Sequence, residues 1–295
     1  MKLTRQCVDA VAVLLILAAY PVWGAEKFSA SGFVLKVNPA ERRLLVSCQE
    51  IPGHMEAMVM PLAVRDSKAL LGVLPGMNIE FSLVTDKDQS YAENIVVRPF
   101  QSLELDPTQA RRLKLMEKIT SPGGRTDFLT QGQPVPDFTL TDQARQPVHL
   151  SQFGGKVVAL TFIYTRCPFP DYCFRLSNNF GLLQKRFRDR LGSDLVLLSV
   201  VIDPAHDQPE ALANYARIWK AEPRAWHFLT GSQEQIEQIA RRFDMTFYPD
   251  EALYVHSFHT IVIDRKGRLA ANVEGNDFTP KQLADLVATV MSDPN

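Results

Sequence analysis

Residues 156–173 read KVVALTFIYTRCPFPDYC, and this stretch decides the fold of the larger part of the chain. Its first nine residues form a near-continuous apolar run rich in β-branched and aromatic side chains, the pattern of a strand covered on both faces. Leu176, Phe180, Leu183 and Phe187 then recur at helical spacing. Further along, residues 194–202 read as a second buried strand. Asp207-Gln208-Pro209-Glu210 reads as a capping box opening a helix with Leu212, Tyr215 and Trp219. Residues 226–229 make a third strand, and Ser232 with Gln235 caps a helix bearing Ile236, Ile239 and Phe243. Residues 260–263 and 269–273 form a hairpin about Arg265-Lys266-Gly267. Thr279-Pro280-Lys281-Gln282 caps a final helix with its stripe at Leu283, Leu286, Val287 and Val290. Strand and helix alternate, so residues 134–295 are expected to be an α/β sandwich around a mixed sheet.

Upstream the pattern changes. Short strand signals fall at 32–35, 44–47, 58–64, 79–83 and 94–97, with turn chemistry at Asn38-Pro39-Ala40-Glu41 and Pro75-Gly76. About five strands in about 70 residues imply a small all-β barrel over 27–100. Asp106-Pro107-Thr108-Gln109 has the chemistry of a helix start, with Leu113, Leu115 and Met116 on an apolar side and Ser121-Pro122-Gly123-Gly124 as its end. Residues 101–133 are therefore expected to be a linker with a helix.

At the N-terminus Lys2 and Arg5 precede an apolar run over 8–19, and small residues precede Ala25, so 1–24 reads as a secretory signal peptide. The alternative is an uncleaved membrane anchor, and only then would the protein contact a membrane. Cys7 is discarded with the signal, which leaves Cys48, Cys167 and Cys173. So few cysteines in an exported chain suit a bacterial periplasm better than a disulfide-built secreted scaffold. A formal charge of -1, with 46% hydrophobic and 22% charged residues, supplies no field for nucleic acid.

Cys167 and Cys173 lie between the first buried strand and its helix, at the strand end where ligands collect in α/β sheets. With Asp171 as N-cap, Cys173 would fall in the first helical turn, where the dipole favours a thiolate. A structural disulfide is the plain alternative, but so small a loop would restrain little of the unfolded chain. A redox pair or a metal site is the stronger expectation.

TFIYTRCP with a second cysteine behind it, then VVIDPAHDQPEALANYA, then VHSFHTIVIDRKGR, resembles the Sco/SenC family over about 160 residues. The resemblance implies a thioredoxin-like fold, copper bound by two cysteines and one histidine, and a role in assembling the dinuclear copper site of cytochrome c oxidase. By motif position Cys167, Cys173 and His256 match the ligands. Five residues separate the cysteines here, where most of the family has three. Phe258 stands where thioredoxins carry a cis-proline. Two sulfurs and an imidazole suit copper, and the same set could hold zinc. His259 is expected on the opposite face, and His149, His206 and His227 are read as having no ligand role. Asp207 is read as a helix cap and Asp203 as a candidate supporting residue.

A second sulfur cluster lies in the barrel, where Cys48, His54, Met55, Met58 and Met60 fall within thirteen residues. Met58 and Met60 share a strand face. Leu62 and Val64 continue it, so ordinary core filling is the alternative. IPGHMEAMVMP, followed by a Pro-Gly turn and an apolar strand, resembles the CusF-like periplasmic copper-binding domains, which are small OB-like barrels. The resemblance implies Met58 and Met60 as Cu(I) ligands, Cys48 in place of a histidine, and Met55 near the position of a packed aromatic.

Together these readings predict an α/β thioredoxin-like domain preceded by a small all-β (OB-like) barrel. They predict a periplasmic copper metallochaperone that serves a copper-receiving protein such as a cytochrome c oxidase subunit. The enzyme alternative is a thiol-disulfide oxidoreductase using Cys167 and Cys173, with Cys167 as the attacking thiol. A passive copper buffer or sensor would leave the thioredoxin-like part without a task.

Overall fold

The structure is a computed structural model that describes residues 26–86, 89–100 and 127–293, together with Leu115 and Ile119. The expected signal peptide, Cys7 and most of the expected linker helix lie outside the described residues. Leu115 and Ile119 are helical and exposed.

Five strands close the first unit: β1 (Glu26–Asn38), β2 (Arg43–Cys48), β3 (Val59–Ala63), β4 (Asn78–Asp86) and β5 (Gln89–Arg98). They form a barrel in the order β1-β2-β3-β5-β4. All pairs are antiparallel except β3 with β5, which run parallel where Ala63 meets Tyr91. β1 is long enough to pair with both β2 and β4. Alternation supplies the lining, since Leu44 and Val46 face Leu62, Ile79, Phe81 and Leu83 inside the barrel core.

The second unit is built on a seven-stranded sheet. Its strands are β6 (Thr139–Asp142), β7 (Pro147–His149), β8 (Val157–Ile163), β9 (Leu195–Val201), β10 (Trp226–Thr230), β13 (His259–Ile263) and β14 (Leu269–Glu274), while β11 (Phe247–Asp250) and β12 (Leu253–His256) form a separate hairpin. The sheet order is β14-β13-β8-β9-β10-β6-β7. β8, β9 and β10 are parallel, and β13 returns antiparallel to β8. Helices α1 (Arg175–Arg186), α2 (Pro209–Ile218), α3 (Gln233–Arg242) and α4 (Pro280–Ser292) flank it. The subset β14-β13-β8-β9, with a helix after β8 and a helix after β14, is the thioredoxin-like arrangement expected from the sequence. Every residue of β8 and β9 is buried, Thr161 and Ser199 included, as their near-continuous apolar runs predict.

Capping boxes at Ser232/Gln235 and Thr279/Gln282 are present as read. The one expected at Asp207/Glu210 is not. Gln208 is the N-cap of α2 and makes no side-chain cap bond, because the Asp207 carboxylate is turned the other way, onto Thr165. The β6/β7 and β11/β12 hairpins carried no clear periodic signal, each strand being only three or four residues long.

The two units share a seam along α4. Phe33 of β1 is fully buried and its ring lies 5.9 Å from Phe278. Asp285 of α4 accepts from Ser47 Oγ, Arg186 and Lys281, each at 2.8 Å. Lys36 pairs with Asp293 at the far end.

Candidate metal centre

β8 ends at Ile163, and the chain leaves the sheet through Tyr164-Thr165-Arg166-Cys167. This exit is pinned from α2's side of the sheet. Thr165 donates to Asp207 through its amide, at 3.1 Å, and its hydroxyl. Arg166 donates to the buried Asp203 carboxylate at 2.7 Å, and His206 meets the same carboxylate at 2.9 Å. Burial pushes the Asp203 pKa up, but Arg166 and His206 outweigh it and the net shift is downward. For Asp207 burial wins over the Thr165 bonds, so its pKa is raised. Asp203 thus holds the side chain of Arg166, the residue before Cys167, and Asp207 is a loop anchor rather than a helix cap.

The loop then bends back. Residues 170–174 form one wide turn with Pro170 at its start, and Tyr172 takes a non-helical conformation (φ -108°, ψ -112°). Helix α1 begins only at Arg175, so Asp171 is not its N-cap and Cys173 precedes the regular helix. The expected thiolate assignment changes with it. Cys173 is 1% exposed, and burial raises its pKa well above an ordinary thiol. Cys167 is only partly buried and its pKa falls to about 6. The largest cause is the Cys173 thiol donating to the Cys167 sulfur. Burial opposes this, while the amides of Cys173 and Phe169 and the Tyr164 hydroxyl add to it.

His256 arrives from the end of β12, outside the main sheet. Its Nε2 lies 3.9 Å from Cys173 Sγ, across 83 residues of chain. Its Nδ1 donates to the Ser257 carbonyl at 2.9 Å, which leaves the Nε2 lone pair facing the sulfur. Burial lowers its pKa to about 4, so the ring is neutral at pH 7 and able to act as a ligand. Tyr164 and Phe258 stand edge-on to the imidazole, at 5.9 and 4.8 Å, and Tyr172 meets Phe258 at 5.0 Å. Of these aromatic walls, the sequence marks only Phe258, as standing at the cis-proline position, and does not single out Tyr164 or Tyr172. TFIYTRCP places Tyr164 three residues before the first cysteine, which was the available signal.

The structure therefore brings Cys167, Cys173 and His256 to one place. All three cysteines among the described residues are free thiols. Among those residues no three His, Cys, Asp or Glu side chains stand as a ready-made metal-holding group: Cys173 meets His256, while Cys167 Sγ lies 3.9 Å from the Phe169 carbonyl oxygen. The donor chemistry nevertheless fits a soft cation, with two sulfurs and a neutral imidazole whose lone pair already points inward. The remaining histidines are otherwise engaged: His259 with Asn272, His149 with Thr139, His227 with Asp142.

The barrel cluster is separate. β2/β3 register pairs Val46 with Met60 and Ser47 with Val59, and the Cys48 amide donates to the Met58 carbonyl at 2.9 Å. Cys48 thus sits opposite Met58, two residue pairs along from Met60. Cys48 is 3% exposed and burial pushes its pKa up to about 12, whereas Met58 is 48% exposed. Met60 and Met55 pack against the barrel core, and His54 stacks on Phe28 with ring centroids 3.6 Å apart.

A thioredoxin-like sheet with a thiol pair beyond its first central strand, and a histidine brought in by a following hairpin, defines a thioredoxin-fold protein equipped for sulfur and imidazole ligation. The chain belongs to the SCO1/SenC family, whose model matches residues 129–292. A Stutzerimonas stutzeri protein provisionally named as copper-binding is 30% identical over 124 residues, covering 41% of this chain and 57% of that one. Protein sco1 of Schizosaccharomyces pombe is 26% identical over 162 residues, 52% of this chain and 59% of the relative. The chain spans between 57% and 65% of the length of the first curated relatives it matches. An Arabidopsis thaliana ScoI crystal structure with copper bound matches at a TM-score of 0.47 and 22% identity, over 54% of this chain and 98% of that one.

Proposed function

We propose that this protein is a copper metallochaperone whose thioredoxin-like unit, over 134–295, takes copper as cargo through Cys167, Cys173 and His256. The observation that carries the reading is the meeting of Cys173 Sγ with the free lone pair of His256 Nε2, beside a second, more exposed thiol of low pKa. Cys167 is the entry ligand, being partly exposed and ionised at neutral pH. Cys173 and His256 are the buried ligands, and the Cys173 proton must leave as its sulfur takes the ion. Family membership supports delivery to a copper-receiving protein such as a cytochrome c oxidase subunit, in assembly of that enzyme's dinuclear copper site. Titrating copper into Cys167→Ser/Cys173→Ser protein tests the assignment: one equivalent should be lost, and unchanged stoichiometry would remove the site.

The barrel, over 27–100, is proposed as a second copper-binding unit of CusF-like type. Its strand order and the parallel β3/β5 closure are those of an OB fold, and the backbone bond from Cys48 to Met58, next to the Val46–Met60 pair, supports the reading. Two sites on one chain raise the effective concentration of each for the other. Export to the periplasm is proposed from residues 1–24 alone.

A second reading is favoured by one observation. A partly exposed Cys167 with a pKa near 6, backed by a buried Cys173 of raised pKa, is the asymmetry of an attacking and a resolving thiol in disulfide exchange. His256→Ala separates the two. Loss of function in cells with disulfide exchange intact supports the chaperone, and full function in cells supports the oxidoreductase.

A further inference from the structure

Residues 273–278 run from the end of β14 into α4 and touch the barrel on one side and the metal centre on the other. Facing the barrel, Val273 lies against Gly76, where a Cβ would come within 2.8 Å of Val273 Cγ2. Gly275 lies under the ring of Phe100, so closely that a Cβ would stand 2.3 Å from it, and its φ of +90° is itself one that glycine tolerates best. Asn78 of β4 donates to the Asp277 carboxylate at 3.2 Å. Each contact joins the first unit, or the residue just beyond its last strand, to this loop.

The opposite side of the loop reaches both arms of the donor set. The Gly275 amide donates to the carbonyl of Phe258, two residues beyond His256, at 2.8 Å. The Asn276 side chain, in a residue 1% exposed, donates its amide hydrogen to the carbonyl of Asp171, two residues before Cys173. Cys173 and His256 come from segments 83 residues apart, and this dipeptide is hydrogen-bonded to both segments. The turn that carries Cys173 also contains the non-helical Tyr172, so local helix formation does not hold it in place.

We infer that Asn276 is the positioning residue that sets Cys173 against His256, and that the barrel clamps the loop carrying Asn276, through Phe100 on Gly275. Asn276 touches no donor atom and acts through the Asp171 carbonyl. The inference deepens the proposed copper site and rests on that reading for its metal arm only. The barrel thereby has a mechanical role in the centre besides any ion it holds itself.

The test uses the full chain with Cys48→Ala, so that Cu(I) titration against a chromophoric chelator reports the Cys167/Cys173/His256 site. Asn276→Asp keeps the shape, removes the donor and sets a carboxylate against the carbonyl. Orienting partners of metal ligands are worth about 10- to 100-fold in affinity, and a loss in that range is expected. In metal-free protein the ratio of Cys173 to Cys167 alkylation should rise, because the buried sulfur is released from its seat. Phe100→Ala should move both readouts in the same direction by less. A folded Asn276→Asp variant with affinity and alkylation ratio both within about twofold of the parent would overturn the inference. If Asn276→Asp does not fold, the alkylation ratio in Phe100→Ala decides, and an unchanged ratio counts against the clamp. If the parent takes up no copper through these residues, the copper reading fails while the metal-free ratio still tests Asn276.

Discussion

Removing the Cys173 thiol should change the pH profile of Cys167 more than its rate at any single pH. In the parent, the Cys167 pKa is lowered from 9.0 to about 6, and the leading cause is the hydrogen bond donated by Cys173. The thiolate fraction grows as pH rises through the pKa. With a pKa near 6, reaction with a coloured disulfide reagent should climb about tenfold between pH 5 and 7 and then flatten. Cys173→Ala removes the donor and moves the pKa up toward 9.0. Over the same interval the variant should climb by close to a hundredfold and keep rising to pH 8 and beyond. The rate at pH 7 is a poor discriminator, since a thiolate of lower pKa is intrinsically the weaker nucleophile. Cys173→Ser, which keeps a short donor, should fall between. Cys48 should stay silent on this timescale, being buried with its pKa pushed up to about 12. A parent profile that rises without a plateau through pH 8, or one that Cys173→Ala leaves unshifted, would refute the claim that Cys173 activates Cys167.

Other outcomes follow from the same geometry. His256→Ala should weaken Cu(I) binding about 10- to 100-fold by chelator competition while Cys167 keeps its reactivity, because a ligand is lost but not the thiol donor. Cys48→Ala should remove one Cu(I) equivalent without changing the Cys167/Cys173 pair, read by metal analysis of protein loaded anaerobically. Asp285→Ala leaves Ser47, Arg186 and Lys281 without their shared acceptor and should cost about 2 kcal/mol in denaturant unfolding, since the two cations can reach water. Although burial pushes the Asp285 pKa up, Lys281, Ser47 and Arg186 together hold it below the ordinary 3.8. Its contribution to the seam is therefore present above that value and is lost as pH falls through the lower folded pKa, which acid unfolding of parent and variant should show as converging stabilities.

Much of this architecture was legible because apolar periodicity is a local property. Residues 156–164 and 194–202 contain near-continuous apolar runs, the usual pattern of a strand covered on both faces. Ser232/Gln235 and Thr279/Gln282 are capping boxes because each needs only three residues of spacing. Asp207 carried the same local signature and was misread. Its carboxylate had a choice between its own helix and Thr165, and only the packing of the β8 exit loop beside α2 settles that choice. Asp171 failed as an N-cap for a related reason, since the loop's wide turn consumes the residues that would have formed the first turn of α1.

The sequence by itself determined which atoms are available for chemistry: two thiols after a buried strand, a histidine before a later one, and a sulfur-rich strand in the barrel. It also determined the alternation of strands and helices around a mixed sheet, while the place of the short β6/β7 edge in the strand order came only with the tertiary structure. Tertiary structure alone decided which thiol is ionised. Burial raises the pKa of Cys173, while its proton lowers that of Cys167, and neither burial nor hydrogen bonding is encoded in spacing. It alone placed His256 Nε2 against Cys173 and seated the barrel against the loop that holds both arms, because those contacts join residues far apart in the chain and exist only once the sheet and barrel have packed.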